Sequence, residues 1–352
     1  MYRTPDRCTI RAIVKIGGSP QPLLMRLLDA ELLSRSSVVS GKLVVVCDPA
    51  ETVYRFIDKG SAHLLVRASG GERFAREVTV LKSFGGGDES LAALRPLLPE
   101  VALLDRENEL LVLRAFKDGS DVVEHHRLLV RPAEWIPPLI GAWLAAMHRA
   151  AAAVVNDIAL PREVPPLLRM DAGASPVAEA LRRIADGWQS NTVIHGNLVF
   201  ENIFLAADGE HSIQFAGWDE AMIGDEAWDL AGVIESYYAW SLDPSLVATV
   251  DGPVCSLTAA DLRMLVTSFL NAYTAVAGLS PTAAQTLFLR AIGYTGARLI
   301  ALAGRLQTKP ESVPALPSMM RAAVAMITSP DAVVRLFTMP QPAPPPQMWS
   351  GM

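Results

Sequence analysis

The residues best suited to do chemistry lie in one short block, His195-Gly196-Asn197-Leu198-Val199-Phe200-Glu201-Asn202. An acid that accepts a hydroxyl proton, followed five residues later by an Asn that holds magnesium, is a spacing used for phosphoryl transfer from ATP. Asn202 keeps the second of these positions. The first position is filled by Asn197, whose neutral amide is not a base.

A second metal-binding acid is expected on the hairpin that follows this block. When the segment 213–231 is laid on that pattern without a gap, Gly217 falls at the position of the acid. A register with three inserted residues puts Gln214 there instead, and Gln carries no charge either. Asp219 lies two residues beyond Gly217, and it shares the same side of a strand only if the strand continues past Trp218.

Three segments together resemble the bacterial aminoglycoside phosphotransferase/choline kinase family, whose pattern reads roughly HGDxxxxN, then (V/I)DW or (V/I)DF, then GDPAxDLA. The segments are 195–202, 213–218 and 224–231. The resemblance places Asn197 at the catalytic base, Asn202 at one metal ligand and Gly217 at the lost metal-binding Asp. It gives His195 a role in organising the loop, and it makes Asp219 the candidate substitute for the metal. ATP and magnesium are the implied cofactors, and the missing acids predict that their binding is weak or absent.

The resemblance extends to a strand and a helix nearer the N-terminus. In active members a Lys on the third strand grips the α- and β-phosphates and pairs with a Glu on the following helix. Here Arg67 ends the strand-like run 64–67 and takes the Lys position, and Glu77 fits the helix partner. The resemblance therefore makes Arg67 and Glu77 the candidate nucleotide-binding residues, and we expect them to form an ion pair. Arginine binds phosphate as a planar fork, so the exchange for Lys is not neutral.

The elements that must position these residues fall into two lobes. Runs rich in β-branched and aromatic residues, separated by turn residues, predict a three-stranded antiparallel meander, and two more strands follow a helix over 72–84. The meander strands are predicted over 43–47, 52–57 and 63–68, and the later pair lies in 103–116 around a turn at 105–109. These elements form a small lobe over 41–119, after an N-terminal extension or helix over 1–40.

From residue 120 onward the periodicity of the apolar residues is mostly helical. Helices are predicted over 135–155, 176–189, 228–238, 259–277, 281–306 and 314–327, with two short strands around Asp208-Gly209. The large lobe spans 120–338, includes the catalytic-loop-like segment 193–231, and precedes a Pro-rich tail over 339–352. The expected fold class is therefore α+β, a bilobed protein-kinase-like fold with a small antiparallel-sheet N-lobe and a large, mostly helical C-lobe.

Several other titratable residues are interpreted as structural. Asp225 and Asp229 are expected to brace the loop by capping and hydrogen bonding. His148 is expected to be a core histidine with a hydrogen-bond partner. The adjacent pair His125-His126 is expected to be a solvated loop pair, because adjacent side chains diverge and no third ligand is evident for a metal.

Composition excludes several classes of function. The formal net charge is -6 and the cationic residues are dispersed, which argues against a nucleic-acid-binding groove. Three widely spaced cysteines form no disulfide framework and favour a cytoplasmic setting. The long apolar run 139–155 contains His148 and Arg149, which predicts a buried helix and no membrane partner.

Three functions remain open. The first is a pseudokinase whose cleft binds a peptide, a metabolite or a partner enzyme. The second is an active ATP-dependent phosphotransferase that acts on a hydroxyl of a small molecule or of a peptide Ser/Thr. The third is a nucleotide or small-molecule sensor without turnover. Segments 27–33, 38–43 and 228–238 also resemble the kinase-like proteins of class V lanthipeptide and thioamitide pathways, which suggests a biosynthetic partner enzyme.

Overall fold

The computed structural model describes residues 21–33, 43–47, 53–58, 62–67, 71–86, 89–116, 119–127, 129, 131–169, 175–206, 212–246, 255–307 and 313–338. The Pro-rich tail 339–352 and most of the extension 1–40 lie outside these residues, as do some side chains within the strands. A helix, α1 (Gln21–Asp29), occurs within the predicted N-terminal extension. The predicted bounds of the two lobes remain predictions.

The small lobe contains a five-stranded antiparallel sheet in the spatial order β1-β2-β3-β5-β4. Its strands are β1 (Leu43–Cys47), β2 (Val53–Asp58), β3 (Ala62–Arg67), β4 (Glu100–Asp105) and β5 (Leu110–Arg114). The predicted meander and the later strand pair are both confirmed. Along the chain, β3 is followed by helix α2 (Glu72–Gly85) and then by a 3-10 helix at Glu89–Leu97, which precedes β4.

The sheet is covered on both sides because successive strand residues point to opposite faces. Leu64 and Val66 of β3 pack in one apolar cluster with Leu27 of α1. Leu65 belongs to the main core together with Phe74 of α2. The four predicted apolar residues on the buried side of α2 (Phe74, Val78, Leu81 and Phe84) are all buried, so this amphipathic helix is fixed against the sheet.

The large lobe is mostly helical, as predicted. Its helices are α3 (Val122–Arg127), α4 (Ile136–Ala153), α5 (Pro176–Asp186), α6 (Glu226–Leu242), α7 (Ala259–Ala277), α8 (Pro281–Gln307), α9 (Leu316–Thr328) and α10 (Pro330–Thr338). The sequence prediction lacked α3 and α10. The 27-residue α8 packs on both α6 and α9, which makes it the central helix behind the loop described below.

Short strands interrupt the helices where the candidate site lies. They are β6 (Ser120–Asp121), β7 (Thr192–Ile194), β8 (Ile203–Leu205), β9 (Ile213–Phe215) and β10 (Met222–Gly224). The sequence predicted only β8 and β9, which are hydrogen-bonded neighbours beside β6, whereas β7 pairs with β10. These pairings hold the two ends of the loop 195–202.

The prediction of a solvated loop pair at His125-His126 is wrong. Both residues lie in α3, and His126 has no exposed surface because it packs against Trp240, with ring centroids 4.6 Å apart. The Nδ1–H of His126 donates to the carbonyl of Val122 at 2.7 Å. Burial lowers the pKa of His126 to about 4, so the ring is neutral at neutral pH.

One helix among the described residues, α8, is long and apolar enough to cross a membrane by length and composition. Its most apolar window is 67% buried inside the protein. Such burial is typical of the core helix of a globular domain.

Candidate functional site

The loop 195–202, which follows β7, is hydrogen-bonded at its start to one buried carboxylate. Asp229, in the first turn of α6, accepts hydrogen bonds from the backbone N–H of His195 at 2.7 Å and of Gly196 at 2.9 Å. Gly196 has a φ of +83°, and a Cβ there would lie 2.1 Å from the carbonyl oxygen of Glu220. Only glycine fits this close approach, so the loop and the segment around Glu220 are locked together.

Asp229 is itself part of a buried chain of polar contacts. Its Oδ2 lies 3.1 Å from Nε2 of His148, whose Nδ1 lies 2.9 Å from the hydroxyl of Tyr273. Burial by itself raises the pKa of Asp229, but the hydrogen bond and charge of His148, followed by His195, lower it overall. Asp229 therefore stays ionised as the anchor of the loop.

Both ring nitrogens of His195 are engaged within the protein. Nε2–H donates to the carbonyl of Ala216 at 2.9 Å, and Nδ1 accepts from the backbone N–H of Asn197 at 3.3 Å. His195 has no exposed surface, and burial lowers its pKa. The neutral ring ties the loop to the turn after β9, which leaves it no free nitrogen for acid or base chemistry on a ligand.

The structure brings Asn202 and Gly217 together. A Cβ on Gly217 would lie 2.9 Å from Oδ1 of Asn202, while Nδ2 of Asn202 donates to the carbonyl of Asn197 at 2.9 Å. Gln214, the alternative in the other register, instead donates from Nε2 to the carbonyl of Leu98 at 3.2 Å. Gly217 is thus the residue that faces Asn202, as the register without a gap predicts.

Asp219 does not continue the strand of Gln214, because β9 ends at Phe215 and residues Trp218–Glu220 form a 3-10 turn. Its Oδ2 lies 3.9 Å from Nη1 of Arg73 at the start of α2, and Oε1 of Glu220 lies 3.4 Å from Nη2 of the same Arg73. Burial and the neighbouring Asp219 raise the pKa of Glu220. These two acids therefore share the cation of Arg73.

The residues at the expected metal position do not fit a magnesium ion, which usually rests on one or two carboxylates. That position offers the amide of Asn202 and the bare backbone of Gly217. Within the described ranges, no group of three or more His, Cys, Asp or Glu side chains could hold a metal ion.

Glu77 of α2 reaches the same turn from the small lobe. The side chain is only 2% exposed, and Oε1 accepts the backbone N–H of Trp218 at 3.2 Å. Arg67 ends β3, but its side chain lies outside the described part of the chain. The Arg67–Glu77 ion pair therefore remains a prediction, whereas Glu77 has a defined contact with the residue after Gly217.

Sequence reasoning missed the cation that contacts Asn197, the residue predicted at the base position. Arg298 of α8 donates from Nη2 to Oδ1 of Asn197 at 3.3 Å and from Nε to Oε2 of Glu235 at 2.6 Å. Its guanidinium carbon also lies 5.1 Å from the ring centre of Trp228. Arg298 is 8% exposed and Glu235 is 5% exposed. The available signal was a charged residue in the mostly apolar segment 291–303 of α8, because charged residues are rarely buried without a partner.

The contacts of Asp225 are the capping and hydrogen bonding that the sequence predicted for it. It caps α6 by accepting from the N–H of Ala227 at 3.0 Å, and it also accepts from the hydroxyl of Tyr294 at 2.9 Å. Arg290 approaches the same carboxylate at 3.0 Å. Burial raises the pKa of Asp225, opposed by the charge of Arg290. These contacts join the start of α6 to α8.

No protein-family model matches the chain, and no curated protein matches it. Two similar solved structures are the choline kinase LicA from Streptococcus pneumoniae and the microcompartment-associated aminopropanol kinase. The first is 15% identical, with a TM-score of 0.50, over 88% of this chain and 100% of that one. The second is 12% identical, with a TM-score of 0.50, over 91% of this chain and 99% of that one. Identities this low show a shared fold and nothing finer.

Proposed function

The chain has the protein-kinase-like fold of these two kinases, and from this premise we propose that it is a pseudokinase. It keeps the cleft of the fold and binds a peptide, a metabolite or a partner enzyme there, with phosphoryl transfer impaired. The observation that carries the proposal is the pairing of Gly217 with Asn202 at the metal position, because a glycine there supplies no ligand atom from a side chain.

The base position supports the same proposal. Asn197 is neutral, and Arg298 donates a hydrogen bond to its Oδ1, so the atom that would accept a substrate proton already faces a cation. Loss of a general base typically slows a reaction by about 10² to 10⁴-fold. Together with a metal site that lacks its acid, this leaves little of the electrostatic stabilisation on which phosphoryl transfer depends.

A second function, slow ATP-dependent phosphotransfer to a hydroxyl, is favoured by one specific observation. Glu220 lies against the loop, since its Cβ is 3.2 Å from a Cβ built on Gly196, and its pKa is raised. A carboxylate with a raised pKa in a cleft is a candidate general base. On this alternative, Glu220 replaces Asn197 in its role and Asp219 assists a weakly held metal.

A single-turnover assay with ATP and magnesium separates the two functions. The pseudokinase predicts that wild type releases or transfers phosphate no faster than Asn202→Ala, which removes the remaining candidate metal ligand. It also predicts no change in Glu220→Gln. A wild-type rate clearly above Asn202→Ala, and a loss of that rate in Glu220→Gln, would instead establish the phosphotransferase.

The resemblance to kinase-like proteins of lanthipeptide-type pathways supports a biosynthetic setting, in which the ligand is a precursor peptide or the enzyme that acts on it. The third function, a nucleotide sensor, differs in its ligand and not in its chemistry. A fluorescence titration with a labelled precursor peptide of a lanthipeptide-type pathway, with ATP as the competitor, distinguishes the two. Saturable binding that ATP does not displace supports the pseudokinase, and a peptide that fails to bind argues against the pathway.

A further inference from the structure

A cavity of about 550 Å³ lies between the end of α2 and Trp143 of α4, and we call it the rear cavity. It is formed by the end of α2, the segment 95–101, Phe116, Trp143 of α4 and the start of β9. Asn197, Asn202 and Gly217 are not among its lining residues, so it is separate from the candidate site. We propose that the rear cavity binds a small, uncharged, aromatic molecule that carries one N–H or O–H donor.

The donor is inferred from Gln214, which lines the cavity. Its Nε2 donates to the carbonyl of Leu98 at 3.2 Å, and this contact fixes the orientation of the amide. Its Oε1 is buried and has no hydrogen-bond partner among the residues that the structure describes. A buried acceptor without a hydrogen-bond partner lowers the stability of the folded state. The rear cavity is the adjoining space from which a ligand donor can approach, with the small side-chain movements that are common on binding.

The absence of charge on the ligand is inferred from the contacts that the two charged lining residues, Arg95 and Glu100, already make within the protein. Glu100 in the lining accepts from Nη1 of Arg114 at 3.0 Å and 3.1 Å through its two oxygens. Arg95, also in the lining, donates from Nε to the carbonyl of Gly86 at 3.0 Å. A charged ligand would have to compete with these contacts, whereas a neutral one leaves them in place.

The aromatic character follows from the remaining lining. Leu97, Leu98 and Ile213 supply aliphatic surface, and Phe116 and Trp143 supply rings. Ligand sites in proteins are typically clefts of about 300–1,000 Å³ with an apolar lining and a few placed polar groups. The size and lining of the rear cavity fall within that description, and flat rings pack well against aromatic edges.

The position of the cavity also links the two lobes. Leu81 and Gly85 belong to α2 of the small lobe, whereas Trp143 and Gln214 belong to the large lobe. Gln214 lies on β9, three residues before Gly217. A bound ligand therefore contacts both lobes and adjoins the strand that leads into the candidate site.

The test compares two ligands and two pairs of variants by ligand-observed NMR titration. Indole carries the donor, and 1-methylindole has the same shape without it. Gly85→Leu fills the cavity from a helical position, where a Cβ would lie at an ordinary 3.8 Å from Leu98. Gly304→Leu is its matched control, because Gly304 is also helical and has open space around it. Gln214→Met removes the acceptor and keeps the length of the side chain.

Wild type and Gly304→Leu are expected to bind indole equally and about 3- to 10-fold more tightly than 1-methylindole. Gly85→Leu is expected to abolish indole binding, and Gln214→Met to remove the preference for indole. The proposal is overturned if wild type does not bind indole, or binds both ligands equally. It is also overturned if folded Gly85→Leu binds indole as wild type does. If Gly85→Leu does not fold, Gln214→Met decides: loss of the preference for indole over 1-methylindole supports the proposal, and an unchanged preference overturns it.

Discussion

Nη2 of Arg298 lies 3.3 Å from Oδ1 of Asn197, so the residue that the sequence pattern places at the base position is hydrogen-bonded to a buried cation from α8. The same guanidinium is bonded to the buried carboxylate of Glu235 at 2.6 Å. Arg298 therefore joins α6, α8 and the loop in one network. An amide suits this arrangement because it accepts the hydrogen bond and adds no further charge.

The first prediction concerns the stability of this network. Arg298→Ala leaves the carboxylate of Glu235 buried without its partner, so we expect a loss of about 3–5 kcal/mol in the free energy of unfolding. Arg321→Ala, at an exposed position on α9, should change stability by no more than about 0.5 kcal/mol. Urea unfolding measures both.

A double variant separates the effect of the unpaired charge on Glu235 from the effect of the packing lost in Arg298→Ala. Arg298→Met with Glu235→Leu removes both charges and keeps apolar volume, and we expect it to regain most of the stability that Arg298→Ala loses. If the double variant is as unstable as Arg298→Ala, the ion pair is not what makes that single substitution costly.

The second prediction concerns the left-handed backbone at Gly217, where φ is +79°. Gly217→Ala should lose about 1–2 kcal/mol of unfolding free energy from the backbone alone, and more because its Cβ displaces Asn202. Gly278→Ala is the matched control, with φ at +67° and nothing within 4 Å of the added Cβ. Equal losses in the two variants, measured by urea unfolding, would mean that Gly217 does not contact Asn202.

The third prediction concerns pH and His126. Its pKa is about 4 when folded, below the ordinary value of 6.5, so the unfolded chain binds more protons between these values. Stability is therefore complete above pH 6.5 and falls as the pH drops toward 4, by about 3 kcal/mol from this residue. His126→Phe keeps the ring against Trp240 and should flatten that decline.

The readout is the slope of unfolding free energy against pH from 7 to 4, not stability at one pH. His125→Phe is the neighbouring control. His125 is less buried, and burial lowers its pKa as well, so a smaller change of slope is expected. A His126→Phe slope identical to wild type would show that His126 is not buried as described.

The fourth prediction concerns restoration of the missing acids. In Asn197→Asp with Gly217→Asp, the carboxylate introduced at 197 would face Arg298, which should hold its pKa below the usual range. Such a group is a poor base, and the side chain introduced at 217 also displaces Asn202, so we expect ATP turnover to remain near the wild-type level. Adding Arg298→Met and Glu235→Leu should raise turnover above the double variant. Rapid turnover in the double variant alone would show that Arg298 does not restrain this position.

Much of the fold is readable from local signals in the sequence. Helix α7 was predicted to the residue from its apolar periodicity, and in the structure the capping box of Thr258 and Asp261 and the left-handed Gly278 mark its ends. Strands β1 to β5 were marked by β-branched runs between turn residues. Helix α10 was missed because its nine residues are fewer than the window of about 11–18 residues over which helical periodicity is recognised.

The spacing of residues in the sequence located the candidate site, but it did not predict the contacts between residues far apart in the chain. The loop 195–202 was located, yet Arg298 is separated from Asn197 by 101 residues, and no local pattern links them. The choice between Gly217 and Gln214 depends on which of the two residues faces Asn202. In the structure Gly217 faces it, and the side chain of Gln214 instead donates to the carbonyl of Leu98. His126 was misassigned because its burial depends on Trp240, a contact made only in three dimensions.

The central claim is that the cleft lacks a working site for a metal nucleotide. Thermal unfolding with ATP, measured with and without magnesium, tests it most directly, because a ligand that binds only the folded state raises the midpoint. We predict that magnesium adds no stabilisation at any ATP concentration, and that Asn202→Ala behaves as wild type does. A rise in the midpoint that requires both ATP and magnesium, and is lost in Asn202→Ala, would contradict the account.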